Sequence, residues 1–285
     1  MDHLDIKIGV IGLGDMGAPI AKNLLNAGYT VYGCDTDKSK LDVFASAGGL
    51  PCGSACELAG NSGAVLTALP SSEAFIKMAA SLEDALAPGK YLVEMGTTVV
   101  HEMRRICAGF RDKGVAVLDA PMSGGPIGVE RKQLQVFVGG DRAAFDFLRP
   151  VFAAYGGEGQ IFYCGESGFG QVAKGVNQLS LGLFSAAAVE ILAYAKNENL
   201  DFGILREMFA KKFPMLEWPL NSIEKGGHPG VKFRELPYYI ENAEKEGYNL
   251  PITKEVYDFM AGGDFIAFDD HRKAPSYYHE LTKDR

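Results

Sequence analysis

From Ile6 to about Gly165 the chain alternates short apolar runs with stretches of helical periodicity. The runs "IKIGVIG", "TVYGCD", "GAVLTAL", "KYLVEM", "VAVLDAP", "LQVFVGG" and "QIFYCG" are rich in β-branched residues and bounded by Gly, Asp or Pro. Strands apolar on both faces have no side to give to water, so helices must cover both faces of the sheet they form. The pattern predicts a mostly parallel sheet. After Gly168 the strand signal stops. A long, nearly charge-free helix beginning "GFGQVAKGVNQ" is followed by charged amphipathic segments broken at Pro214, Pro219, Pro229 and Pro251. The expected organisation is an α/β domain over residues 1–167 and an all-helical domain over residues 168–285, joined by that long helix.

The first strand-to-helix turn reads "GLGDMG": Gly12, Leu13, Gly14, Asp15, Met16 and Gly17. Its first glycine permits a tight turn, its second lets backbone approach a pyrophosphate, and its third lets helix and strand pack closely; the helix N-terminus attracts the anion. Asp35 follows at the end of the next strand, 18 residues after Gly17, where a carboxylate binds the adenosine ribose hydroxyls. Strand, fingerprint, helix, strand and acid together predict a Rossmann-type dinucleotide site. Asp35 would repel a 2′-phosphate, and the next residue is Thr36 rather than an arginine, which favours NAD. Lys38 and Lys40 keep NADP open as the cofactor.

A net charge of -8, from 36 acidic against 28 basic residues, argues against nucleic acid as a partner. No 18 consecutive residues are apolar and the N-terminus enters a strand within a few residues, so a cytoplasmic protein without membrane association is expected. Cys34, Cys52, Cys56, Cys107 and Cys164 lack paired metal spacing and read as reduced thiols, with no metal site.

Two further motifs carry chemistry. In "DAPMSGGP", Ser123, Gly124 and Gly125 can turn a hydroxyl and backbone N–H groups toward a small anion such as a substrate carboxylate. In "GQVAKGVNQ", helical spacing puts Gln171, Lys174, Asn177 and Gln178 on one side. An ammonium on so apolar a helix is costly unless something engages it.

"GLGDMG", "LPS" at Leu69–Ser71, "DAPMSGG" and "GFGQVAKGVNQ" occur in the order seen in the β-hydroxyacid dehydrogenases, which the chain resembles along nearly its whole length. The resemblance implies Lys174 as catalytic lysine, Asn177 as its partner amide, and Ser123, Gly124, Gly125 and Gln178 around a small carboxylate substrate. It implies that Leu69 and Pro70 line the cofactor and that Thr97 of "EMGTT" contacts the nicotinamide end. It also implies a homodimer or homotetramer. Several positions depart from the pattern. Glu94 and Gly96 stand where Asp and Ser are usual, Gln178 replaces a second Asn, and "FREL" at Phe233–Leu236 replaces Lys-Asp-Leu. Arg234 there keeps the charge of a cofactor-contacting lysine with a different reach. Lys132 occupies a position where many relatives have glycine, near enough in sequence to the carboxylate motif to suggest a second anionic or strongly polar group on the substrate; a solvated loop lysine is the alternative.

The chemistry so implied is hydride transfer coupled to proton transfer, with Lys174 as the acid in reduction and the base in oxidation of a small 3-hydroxy acid. An imine reductase or a non-catalytic dinucleotide-binding protein on the same scaffold are the alternatives. Imine reductases usually lack lysine at this position, and the clustered amides speak against a merely structural helix.

Overall fold

The computed structural model describes residues 5–210, 212–224, 234–262, 265–269 and 272–275. The chain divides after Gly175 into two compact units.

The first unit forms β1 (Ile8–Ile11), α1 (Gly17–Asn26), β2 (Val31–Cys34), α2 (Lys38–Ser46), β3 (Leu50–Pro51), α3 (Ala55–Asn61), β4 (Ala64–Thr67) and α4 (Ser72–Leu82). It continues through β5 (Tyr91–Glu94), α5 (Val100–Asp112), β6 (Ala116–Asp119), β7 (Met122–Ser123), α6 (Gly125–Glu130), β8 (Gln135–Gly139), α7 (Arg142–Gly156) and β9 (Ile161–Gly165). Each of the seven apolar runs becomes a strand. The two-residue strands β3 and β7 are too short to leave a periodic signal.

The strands form one sheet in the order β3-β2-β1-β4-β5-β6-β8-β7, with β9 beside β8. Pairing is parallel from β3 to β6, as in Ile8 opposite both Val31 and Ala64. β8 runs antiparallel to β6 and β7, and β9 runs parallel to β8. The period of two along each strand sorts the core into two clusters. Ile8, Val10, Leu66, Val93 and Leu118 pack with Ile20 and Leu24 of α1 and Leu148 and Phe152 of α7. Ile11, Val65, Leu92 and Val117 turn the other way, onto Leu58, Phe75, Leu82, Met103 and Phe110 of α3, α4 and α5. The chain moves outward from β1 to β3 and then restarts at β4 on the other side of β1. That reversal opens a crevice at the carboxyl ends of β1 and β4.

Helix α8 (Phe169–Asn197) begins in the first unit and continues into the second. The second unit adds α9 (Phe202–Leu205), a π turn at Arg206–Ala210, α10 (Glu217–Glu224), α11 (Leu236–Lys245) and α12 (Pro251–Gly262). The Asp201 carboxylate caps α9 by accepting the Gly203 and Ile204 N–H groups. This part is helical with one addition: β10 (Phe265–Asp269) and β11 (Arg272–Pro275) pair antiparallel.

Lys132 acquires a backbone explanation. Helix α6 ends with the Lys132 N–H donating to Val129 O at 3.2 Å and the Gln133 N–H to Gly128 O at 2.8 Å, the paired bonds of a Schellman stop. Lys132 thereby takes φ +53°, the left-handed region that glycine occupies without strain. Its side chain is exposed. Lys132→Gly is expected to raise unfolding stability by about 0.5–1 kcal/mol, read as a higher urea midpoint, with the substrate preference unchanged. A shifted preference would instead place the side chain at the substrate.

Candidate active site

The fingerprint loop joins β1 to α1. A Cβ on Gly17 would lie 1.8 Å from Gly12 O, so only glycine lets the helix start this close to the strand. A Cβ on Gly14 would meet nothing within 4 Å, which is the open approach a pyrophosphate needs. Helix α1 has neither a side-chain N-cap nor an acid in its first turn, so none of its own side chains competes with an anion for its positive end. Leu13 is buried and Asp15 exposed, with Met16 between these extremes. The Leu13 N–H donates to Asp35 Oδ2 at 2.7 Å and the Asp37 N–H to Oδ1 at 2.8 Å. Asp35 is thereby tied to the loop, with Lys40 Nζ at 4.0 Å. Open glycine, uncapped helix and anchored acid fit an adenine dinucleotide.

Other predicted cofactor residues lie at neighbouring strand ends. Leu69 and Pro70 follow β4 and Thr97 follows β5. Leu69 Cδ2 lies 3.4 Å from where a Gly12 Cβ would stand, and Leu69 O lies 3.3 Å from the corresponding point at Gly96. The turns after β1, β4 and β5 therefore meet. Beneath them Glu94 is buried. Its carboxyl is bonded to the Thr67 hydroxyl and accepts the Gly96 N–H at 3.1 Å and the Thr98 hydroxyl at 3.2 Å. Burial pushes Glu94 up to about 8, against these hydrogen bonds.

The start of α8 is held by Asp119, the last residue of β6. Its carboxylate accepts the Gly168 and Gln171 N–H groups, each at 2.8 Å, capping the helix from another strand. Burial raises the Asp119 pKa, and these backbone hydrogen bonds oppose the rise. A Cβ on Gly170 would stand 2.5 Å from Phe137 O and 2.7 Å from Asp119 O, so the helix approaches the sheet as closely as its backbone allows. Gln171 accepts the Thr98 N–H at 3.1 Å and donates to Gly96 O at 2.9 Å.

One turn further along α8, Lys174 is buried and donates from Nζ to Met122 O at 2.7 Å. That carbonyl immediately precedes Ser123, so the two chemical motifs of the sequence meet through this bond. Ser123 pairs with Gln135, after which Gly124 and Gly125 take φ +135° and +61° to begin α6. In the second unit, Asn177 Nδ2 donates to Gln178 Oε1 at 3.1 Å, and Gln178 Nε2 donates to the Glu235 carboxylate. Arg234 is exposed just before α11.

Sequence reasoning missed Glu94, Asp119 and Glu235 as site groups. Asp119 and Glu235 lie inside "DAPMSGGP" and "FREL", where an acid at a strand or helix end is the available signal. Glu94 was noticed only as a departure.

Residues 7–165 match the NAD binding domain of 6-phosphogluconate dehydrogenase. The chain is 36% identical over 208 residues to an NAD-dependent L-serine dehydrogenase of Pseudomonas aeruginosa, covering 72% of this chain and 69% of that protein. It is 31% identical over 266 residues to an L-threonate dehydrogenase of Cupriavidus necator, covering 89% of each. The chain belongs to the β-hydroxyacid dehydrogenase family. It is an oxidoreductase with a Rossmann-type NAD-binding domain. A solved structure of 3-hydroxyisobutyrate dehydrogenase from Mycobacterium tuberculosis with L-serine superposes with TM-score 0.85 at 26% identity, covering 97% of this chain and 99% of that one.

Proposed function

We propose that this β-hydroxyacid dehydrogenase oxidises a small 3-hydroxy acid, or reduces its carbonyl form, with Lys174 as the general acid and base and NAD as the preferred cofactor. The observation that carries this reading is the buried Lys174 ammonium, hydrogen-bonded to Met122 O directly beside Ser123–Gly125. When bound, NAD takes up or supplies the hydride. Every other step falls to the chain. Ser123 and the turn at Gly124 and Gly125 hold the substrate carboxylate. In oxidation, neutral Lys174 accepts the substrate hydroxyl proton at Nζ; in reduction, the ammonium returns it to the same oxygen. Asn177 orients that oxygen, and Gln178, bonded to Glu235, keeps the amide in place. The preference for NAD is supported by Asp35, held at the end of β2 by the Leu13 and Asp37 N–H groups, because a carboxylate there would repel a 2′-phosphate.

The protein acts as a cytoplasmic homo-oligomer in this reading. Among the described residues one helix, Phe169–Lys196, is long and apolar enough to cross a membrane. Near its start Gln171 and Lys174 are buried, and their side chains donate to the Gly96 and Met122 carbonyls. Its exposed Phe184, Ile191 and Tyr194 instead line an apolar groove of about 750 Å³ with Phe213 and Met215, a surface suited to a second copy.

Lys174→Ala should keep folding and NADH binding and lose turnover by about 10²–10⁴. Arginine should not rescue it, because a guanidinium stays protonated; retained turnover would remove the lysine from the mechanism. Asp35→Ala should raise the KM for NAD about tenfold or more, the worth of a hydrogen bond to a charged group, and leave that for NADP equal or lower. Equal responses would overturn the ribose assignment. Sedimentation should find the wild type as a dimer or tetramer and Tyr194→Glu as a monomer; a monomeric wild type would overturn the assembly.

A further inference from the structure

Two departures from the family pattern, Glu94 and Gly96, prove to be a single feature. A Cβ at position 96 would lie 2.6 Å from Glu94 Oε1, closer than side-chain atoms pack. Any side chain at 96 would therefore displace the Glu94 carboxyl from the bonds it makes to Thr67, Gly96 and Thr98. Glu94 bonds the turn directly, through the Gly96 N–H and the Thr98 hydroxyl. From the opposite side Gln171 holds the same turn, accepting the Thr98 N–H and donating to Gly96 O. Gln171 lies one helical turn before Lys174. A chain of packed, bonded groups therefore runs from Glu94 through residues 96–98 and Gln171 to the start of α8.

We propose that Glu94 and Gly96 form a coupled pair in which the glutamate side chain replaces the residue-96 side chain, fixes the Gly96–Thr98 turn and thereby positions Lys174. This rests on the proposed role of Lys174. Glu94 is a positioning residue: it acts through the turn and the helix.

Hydrogen-bond accounting favours a neutral acid in this place. The Thr67 hydroxyl lies against both Glu94 and Val93 O, the latter at 3.2 Å, and its single proton serves one of them. A protonated Glu94 supplies the second. Burial acts in the same direction, with the nearby Asp119 carboxylate adding to it. The folded chain holds this proton up to about pH 8, whereas an unfolded glutamate releases it near its ordinary pKa. Stability therefore falls as pH rises between these two values.

The test is a double-mutant cycle of Glu94→Asp, Gly96→Ser and the double variant, with Glu94→Gln alongside. The short acid leaves the turn unheld and serine alone clashes, so each single change should lower kcat by about 10- to 100-fold. The substrate KM should move less than about threefold, and the double variant should return to within about threefold of wild-type kcat. Glu94→Gln should keep most of the activity at pH 7 and flatten the decline of stability with pH; the residual slope would come from Asp119, whose raised pKa has the same sign. A double variant whose loss equals the product of the two single losses would overturn the coupling. If the wild type turns over no hydroxy acid, the proposed function fails separately. The coupling is then decided by the NADH dissociation constant from fluorescence and by melting temperature across the same cycle. A double variant that folds where a single one does not counts as rescue.

Discussion

The Asp119 carboxylate, buried at the end of β6 and accepting two backbone N–H groups from the start of α8, is the interaction on which the candidate site depends. A buried carboxylate is costly unless its oxygens are fully engaged. Here the orphan donors at a helix N-terminus supply the partners, and the helix dipole favours the charge. The bond defines where a 29-residue helix begins. Gly170 permits the short distance, because any side chain there would meet Phe137 O and push the helix off the sheet.

Placing the helix start also places Lys174. Three residues beyond Gln171, Nζ reaches Met122 O in the two-residue strand next to the Ser123 turn. The ammonium avoids the penalty of an unpaired buried charge by bonding a carbonyl.

The parallel strands contribute their carboxyl ends to the same edge. With both faces of the sheet covered by helices, polar chemistry is confined to the turns that leave it. The turns after β1, β4 and β5 converge on Leu69 and Gly96. Glu94 lies beneath them, and its length is matched by the missing side chain at Gly96. Two changes that each look disruptive in sequence are complementary in space.

The sequence alone determined the order of the seven longer strands of the first unit and their alternation with helices, the fingerprint turn with Asp35, and the presence of a lysine with flanking amides on an apolar helix. These are local signals, written in periods of 2 and 3.6 and in glycine spacing. It also pointed to the family, because four motifs recur in order. It could not determine what the buried polar groups bond to. Asp119 with Gly168, Glu94 with Thr67 and Gly96, and Lys174 with Met122 O are contacts made by the packing of strand ends against a helix start. No periodicity encodes such contacts. The same limit applies to Lys132: its residue type says nothing of its left-handed backbone, which is set by how α6 stops. The β10–β11 pair was invisible for a related reason, since cross-strand pairing is a relation between segments and two short segments carry little pattern of their own.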